Sequence, residues 1–164
     1  MSYESIDFRK KIREYIGTKR DLFGDGKTIY TITIKNERKE NVYIPIYMTE
    51  ESKSDIVPPL PFIEFGLLYN SSIPHDIGAS TRKHDSRIDV NIYWQKMDDI
   101  DQTDFGKAIS DKICDLIRSN QCKILGQDTF INVSNTGRVF VERYGKQVVY
   151  HKNMEIQIIY YDRP

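Results

Sequence analysis

The amino-acid sequence predicts an α+β fold: a mostly antiparallel sheet with a long amphipathic helix packed on one face and a second, N-terminal helix. Most hydrophobic segments alternate apolar with polar residues, which is the pattern of half-buried strands. One segment, 104–118, instead repeats its apolar residues with helical spacing. The strands come in hairpin-like runs, which favours antiparallel pairing over a parallel α/β sheet. Because the chain has 164 residues, we expect a single domain over 1–164.

The N-terminal helix is predicted over residues 5–16. Phe8, Ile12, Tyr15 and Ile16 follow the spacing i, i+4, i+7, i+8, which places them on one side of a helix. Gly17 follows directly and is a typical helix stop. This helix is therefore expected to bury one apolar stripe and leave its basic residues outside.

The next segments predict strands and one long loop. Residues 28–35 and 42–48 alternate on either side of a polar break, which predicts a β-hairpin. Pro45 cannot donate a ladder hydrogen bond, so its strand is expected at the edge of the sheet. Residues 62–69 are mostly apolar and predict a strand covered on both faces. Residues 70–86 are polar, and we expect a long loop there, of a kind that is often functional.

Residues 87–94 form the clearest predicted strand. Its two sides differ sharply in chemistry, as expected when one face of a sheet meets the core. The predicted inward side consists of Ile88, Val90, Ile92 and Trp94. The predicted outward side consists of Arg87, Asp89, Asn91 and Tyr93. The outward row is therefore either solvated or part of an interface.

The second half of the chain predicts the main helix and the closing strands. On a helical wheel, the apolar residues of 104–118 fill one half-circle. After it, three strands are expected at about 128–134, 138–144 and 147–161, with a turn at Asn135-Thr136-Gly137 between the first two. The predicted element order is thus α-β-β-β-β-α-β-β-β.

Composition excludes several classes of function. Lys plus Arg and Asp plus Glu both number 24, so the formal net charge is zero and gives no electrostatic reason to expect direct nucleic-acid binding. No apolar run approaches a membrane span, and the N-terminus lacks a secretory pattern. We therefore expect synthesis in the cytoplasm, no membrane partner, and reduced thiols at Cys114 and Cys122.

Candidate catalytic and metal-binding groups are weak. His75-Asp76 and His84-Asp85 combine types that ligate metals, but no further ligand stands at suitable spacing, so a polar loop is the better interpretation. Gly24–Thr28 resembles only the end of a phosphate-binding loop and fits a turn before a strand. No Gly-x-Ser-x-Gly occurs, and neither cysteine lies at a helix N-terminus that would activate it. We predict that the protein is not an enzyme and has no catalytic residues, cofactor or metal.

The order of elements resembles the tail-terminator and tail-completion (minor tail) proteins of tailed phages and prophages. The segments that carry the resemblance are Pro61-Phe-Ile-Glu-Phe-Gly66, Arg87-Ile-Asp-Val-Asn-Ile-Tyr-Trp94, Asp104–Ile117 and Met154-Glu-Ile-Gln-Ile158. The resemblance implies a structural virion protein without catalysis. Its protomers would form a ring, typically a hexamer, that caps the tail tube and joins it to the head connector. The protein would then end in the virion tail.

For such a ring, we expect the polar loop and the outward row to form the interface with a neighbouring subunit or the tail tube. The interface residues predicted are His75, Asp76, Arg82, Lys83, His84, Asp85, Arg87, Asp89, Asn91 and Tyr93. Deletion of 73–85 is expected to abolish assembly and leave the fold intact. The alternative is a non-viral intracellular protein-binding module or accessory subunit without catalysis.

Overall fold

The computed structural model describes residues 8–36, 38–51, 59–74, 78, 81–95, 102–125 and 129–162. Two α-helices and seven strands make up these ranges. The helices are α1 (Phe8–Ile16) and α2 (Gln102–Leu125), and a turn of 3-10 helix spans Thr49–Glu51. The strands are β1 (Thr18–Arg20), β2 (Ile29–Lys35), β3 (Asn41–Met48), β4 (Phe62–Pro74), β5 (Arg82–Gln95), β6 (Thr129–Tyr144) and β7 (Gln147–Asp162).

The seven strands form one sheet in the order β1-β2-β3-β4-β5-β7-β6. Neighbouring strands are antiparallel except β3 and β4, which are parallel. The α+β fold with a mostly antiparallel sheet and two helices is therefore confirmed. The element order differs from the prediction, because five strands precede α2 and two follow it.

The predicted hairpin of β2 and β3 is confirmed, but β3 is not an edge strand. Residues 41–45 of β3 pair with β2, and residues 46–48 pair with β4. Pro45 is the last residue of the first ladder and precedes the second. A residue without an amide hydrogen is tolerated there, because the strand passes from one neighbour to the next at that point.

The predicted long loop at 70–86 is wrong over most of the residues described there. Residues 70–74 lie in β4 and pair with residues 82–86 of β5, and β5 continues its pairing with β7 from Arg82 onward. Deletion of 73–85 would therefore remove strand residues from the centre of the sheet. That deletion is no longer expected to leave the fold intact.

The predicted turn at 135–137 is also wrong. Residues 129–144 form one strand, and both halves of it pair with β7, with a change of register between Asn135 and Val139. A hairpin turn would require the two halves to pair with each other. The Asn-Thr-Gly sequence instead forms an irregularity within β6.

Both helices pack on the same side of the sheet. Phe105, Ile109, Ile113 and Ile117 recur every four residues along α2 and are buried. Trp94 of β5 is fully buried and packs against Phe105, with ring centroids 6.1 Å apart. α1 buries Phe8, Ile12 and Ile16, whereas Tyr15, which was predicted on the same side, is 45% exposed. The helix ends where Gly17 donates to the carbonyl of Arg13. No helix in the described ranges has the length and apolar character of a membrane span.

Candidate interaction surface

The side of β4, β5, β7 and β6 that faces away from the helices is here called the outer face. In β5 it carries the residues that alternate with the buried Ile88, Val90, Ile92 and Trp94. The strand register aligns these residues with partners on the neighbouring strands. Because both helices pack on the opposite side, neither helix that the structure describes covers the outer face. Most of its described residues are exposed or half-buried, whereas Phe62 and Val149 are buried.

A row of rings crosses one end of the outer face from β3 to β6. Tyr47 meets Phe62 edge to face at 6.1 Å, and Phe62 stacks on Tyr93 at 4.9 Å. Tyr93 stacks on His151 at 4.5 Å, and His151 lies 6.1 Å from Phe140. The central rings Phe62, Tyr93 and His151 turn their faces towards one another. Of these three rings, Phe62 is buried, with 5% of its surface exposed.

Hydrogen bonds hold the polar groups next to this row. The Oδ1 atom of Asn91 accepts a hydrogen bond from Nδ2 of Asn153 at 2.9 Å and lies 2.9 Å from Nε2 of His151. On its other side, Nδ1 of His151 lies 3.9 Å from Oε1 of Glu142. Side chains arranged in this way lose less conformational freedom when a partner binds.

His151 is half-buried, and this position affects its protonation. Burial lowers the pKa of His151 below the ordinary value of 6.5, and the charge of Glu142 acts in the opposite direction. The unfolded chain therefore takes up this proton at a higher pH than the folded protein does. The stability that His151 contributes is present above pH 6.5 and declines as the pH falls through that value.

We expect acidification from about pH 7.5 to about pH 5.5 to lower the free energy of unfolding of the wild type. His151→Gln keeps an amide donor for Asn91 but does not titrate, so its stability should change less over the same interval. Urea unfolding of both proteins at the two pH values measures the difference. Equal pH dependence in the two proteins would contradict the role of His151.

Charged residues follow in the middle of the outer face. Arg87 pairs with Glu155 at 3.2 Å and with Asp85 at 3.4 Å, and Gln157 donates to Asp85 at 2.9 Å. The hydrogen bond to Asp85 and its charge raise the pKa of Arg87. Asp89 stands directly opposite Glu155 in the ladder. Two like charges in directly opposite positions repel each other. The Asp89–Glu155 pair therefore does not stabilise the sheet.

Exposed apolar side chains stand among charged ones towards the far end of the outer face. Tyr69 and Ile73 of β4 are 58% and 56% exposed, and Phe130 of β6 is 61% exposed. Tyr69 and Ile73 stand opposite Arg87 and Lys83 of β5, whereas Phe130 lies three strands away and opposite Ile159 of β7. The outer face therefore combines an aromatic row, a charged middle and a far end of mixed character.

The structure divides the predicted interface residues between two sides of the sheet. Lys83, Asp85, Arg87, Asp89, Asn91 and Tyr93 share the outer face, as their alternation along β5 requires. Arg82 and His84 alternate with them and point to the helix side, where His84 stacks on Tyr160 at 4.6 Å. Arg82 donates to the Ser72 hydroxyl at 2.8 Å. His75 and Asp76 lie outside the described residues.

Reasoning from the sequence missed the contributions of β4, β6 and β7 to this face. The residues concerned are Phe62, Glu64, Tyr69, Phe130, Phe140, Glu142, His151, Asn153, Glu155 and Gln157. A signal existed in β7, because His151, Asn153 and Glu155 alternate with the apolar series that begins at Met154. The outward row of one strand implies a matching row on its neighbour, but the sequence does not identify the neighbour.

Within the described ranges, no group of three or more His, Cys, Asp or Glu side chains is arranged to hold a metal ion. Cys114 is a free thiol on α2, and burial raises its pKa, which makes a thiol less nucleophilic at neutral pH. Comparison with known proteins gave no matching family model and no curated protein with significant similarity.

Proposed function

We propose that this protein is a structural subunit of a phage or prophage tail, of the tail-terminator or tail-completion type. It would assemble as a ring at the head-proximal end of the tail tube and contact the head connector. The observation that carries the proposal is the outer face, an ordered and chemically mixed sheet surface left open by helices packed on the other side. A subunit that works by contact rather than catalysis needs such a surface.

Charge distribution supports contact between copies of this chain. The first 40 residues contain ten basic and seven acidic residues, whereas the outer face carries five carboxylates (Glu64, Asp85, Asp89, Glu142, Glu155) and three basic residues (Lys83, Arg87, Arg138) among its described positions. The exposed Lys19 and Arg20 belong to β1, at the edge of the sheet opposite β6, and the exposed Lys10 and Lys11 belong to α1 on the helix side. Two different, complementary patches are what a closed heterologous ring requires.

Asp89→Lys tests this use of the outer face. The substitution places a lysine opposite Glu155, so the sheet should be as stable as in the wild type or slightly more so. The same substitution reverses a charge in the middle of the proposed contact. We expect ring formation, measured by light scattering over a range of concentrations and by electron microscopy, to be lost. Asp115→Lys changes the net charge equally on the exposed side of α2 and should leave assembly unchanged.

The viral role is tested in a lysogen that carries the gene. Deletion of the gene should leave heads and tails unjoined in electron micrographs of induced lysates. Complementation with Asp115→Lys should restore joined particles, and Asp89→Lys should not. If induced particles form normally without the gene, the tail role is wrong. The protein would then be better explained as a non-viral binding module.

A further inference from the structure

β6 forms one edge of the sheet and is 16 residues long, whereas the other edge, β1, has only three residues. The backbone groups of an edge strand that point away from the sheet have no ladder partner, so a long edge strand is a template for pairing with another strand. Phe140 and Val141, in the C-terminal part of this edge strand, are 42% and 56% exposed. The edge thus offers both backbone groups and apolar side chains to a partner.

The sequence of β6 from 138 to 142 is complementary to itself. It reads Arg-Val-Phe-Val-Glu, so a reversed copy sets Arg138 against Glu142, Val139 against Val141 and Phe140 against Phe140. We propose that β6 pairs antiparallel with β6 of a second copy of this chain. The two copies are related by a two-fold axis that passes midway between their two Phe140 residues. The two sheets then join into one.

The side chains are placed for this pairing. Arg138, Phe140 and Glu142 alternate along β6 on the outer face, while Val139 and Val141 point to the helix side. Arg138 is exposed, and its guanidinium lies 5.1 Å from the Phe140 ring centre. The Glu142 side chain is 41% exposed. In the pair, each Arg138 would reach the opposing Glu142 beside the two phenylalanine rings.

Other registers do not set Arg138 of one copy against Glu142 of the other. A shift by two residues in total sets Arg138 against Phe140 or Phe140 against Glu142, and a parallel arrangement aligns each charge with its like charge. β1 offers Thr18, Lys19 and Arg20, which are too few and carry no acid for Arg138. The two-fold register also continues the aromatic row. Phe140, next to His151, is the last ring of that row and lies on the edge strand. A second copy would extend it across the axis.

This inference does not depend on the proposed tail function. A two-fold contact along β6 leaves Asp89 and the middle of the outer face uncovered. The dimer is therefore compatible with a separate ring contact, and either proposal can fail without the other. Asp89→Lys leaves the β6 edge unchanged and should dimerise as the wild type does.

Charge reversal tests the register. We expect the wild type to dimerise in sedimentation equilibrium, and Arg138→Glu or Glu142→Arg alone to weaken dimerisation about tenfold or more, because two attractive pairs become repulsive. The double variant R138E/E142R restores opposite charges and should return the dissociation constant to near the wild-type value. A monomeric wild type, unaffected single variants, or a double variant as weak as the singles would each overturn the proposal.

Crosslinking gives a second test that does not require charge variants to fold. In a background with Cys114→Ser and Cys122→Ser, Phe140→Cys should give a covalent dimer with a short bismaleimide, since the two thiols meet at the axis. Phe130→Cys is the matched control: it is on the same strand and face and is more exposed, at 61% against 42% for Phe140, but it lies far from the axis. Equal crosslinking at both positions, or none at Phe140→Cys, would overturn the pairing.

Discussion

Replacement of Gly106 by alanine should lower the free energy of unfolding by about 1–3 kcal/mol, the usual cost of overpacking a well-packed core. Gly106 lies in α2 where that helix crosses the fully buried Trp94. A β-carbon added at Gly106 would overlap Cη2 of the indole and lie 2.7 Å from Cζ2. Neither the helix nor the ring can give way easily, because both are held within the core.

The sign of this effect makes the test strict. In an unconstrained helix, alanine is more favourable than glycine by about 1 kcal/mol, so a net loss shows that the contact with Trp94 prevails. Chemical denaturation of the wild type and Gly106→Ala measures the difference. A more stable Gly106→Ala protein would show that α2 does not approach Trp94 as closely as the structure has it.

A double-mutant cycle attributes the loss to this contact. Trp94→Phe alone should destabilise the protein, because it leaves a cavity beneath α2. In the Trp94→Phe background, Gly106→Ala should cost much less, because the space left by the indole can accept the new methyl group. Additive effects in the double variant would mean that Gly106→Ala acts through something other than the Trp94 ring.

The sequence predicted β5 well because that strand carries its own signal. Ile88, Val90, Ile92 and Trp94 alternate strictly and are all fully buried, so the inward side could be assigned without knowledge of any neighbour. The same alternation assigned Asp89 and its outward neighbours to one face. Where a strand has one side in the core and the other on an open face, the alternation of its residues indicates which side each residue occupies.

The extension of β4 and β5 could not be predicted in this way. Residues 70–74 and 82–86 are polar and rich in turn formers, yet Arg82 to Ser86 pair with residues 158–162 of β7. Ser86 is fully buried and hydrogen-bonded to Asn70. The stabilising partner lies more than 70 residues away in the sequence, so local propensity favours a loop and the long-range ladder overrides it.

The aromatic row also depends on pairing between strands that are distant in the sequence. Phe62, Tyr93, Phe140 and His151 come from four strands that the sequence keeps apart. Only the strand order, with β7 inserted between β5 and β6, places His151 beside Tyr93. A candidate surface built from cross-strand neighbours cannot be read from the alternation of any single strand. The outward row of β5 was therefore found, and its extension across the sheet was not.

Arg9 provides the second large expected effect. Its side chain is 11% exposed, and Nη1 donates to the carbonyl oxygen of Gly66 at 3.0 Å as well as to Glu50 at 2.8 Å. Gly66 lies where the pairing of β4 with β5 changes register. Its carbonyl oxygen therefore takes its hydrogen bond from Arg9, which is outside the strand ladder. Arg9→Met keeps the length of the side chain but removes this donor. A buried carbonyl deprived of its partner costs about 1–3 kcal/mol, and we expect a loss of that size in urea unfolding.

Glu50→Ala separates the carbonyl bond from the ion pair. Glu50 is 46% exposed, and an ion pair with a partner in solvent contributes at most about 1 kcal/mol. Its removal leaves the bond from Arg9 to Gly66 in place, so Glu50→Ala should be clearly less destabilising than Arg9→Met.

Arg13, one helical turn later, pairs with Glu51 at 2.8 Å, but no bond from Arg13 to a buried carbonyl is seen in the described part of the chain. Arg13→Met should therefore also cost less than Arg9→Met, and equal losses at the two arginines would show that α1 is held by its charges rather than by the bond to Gly66.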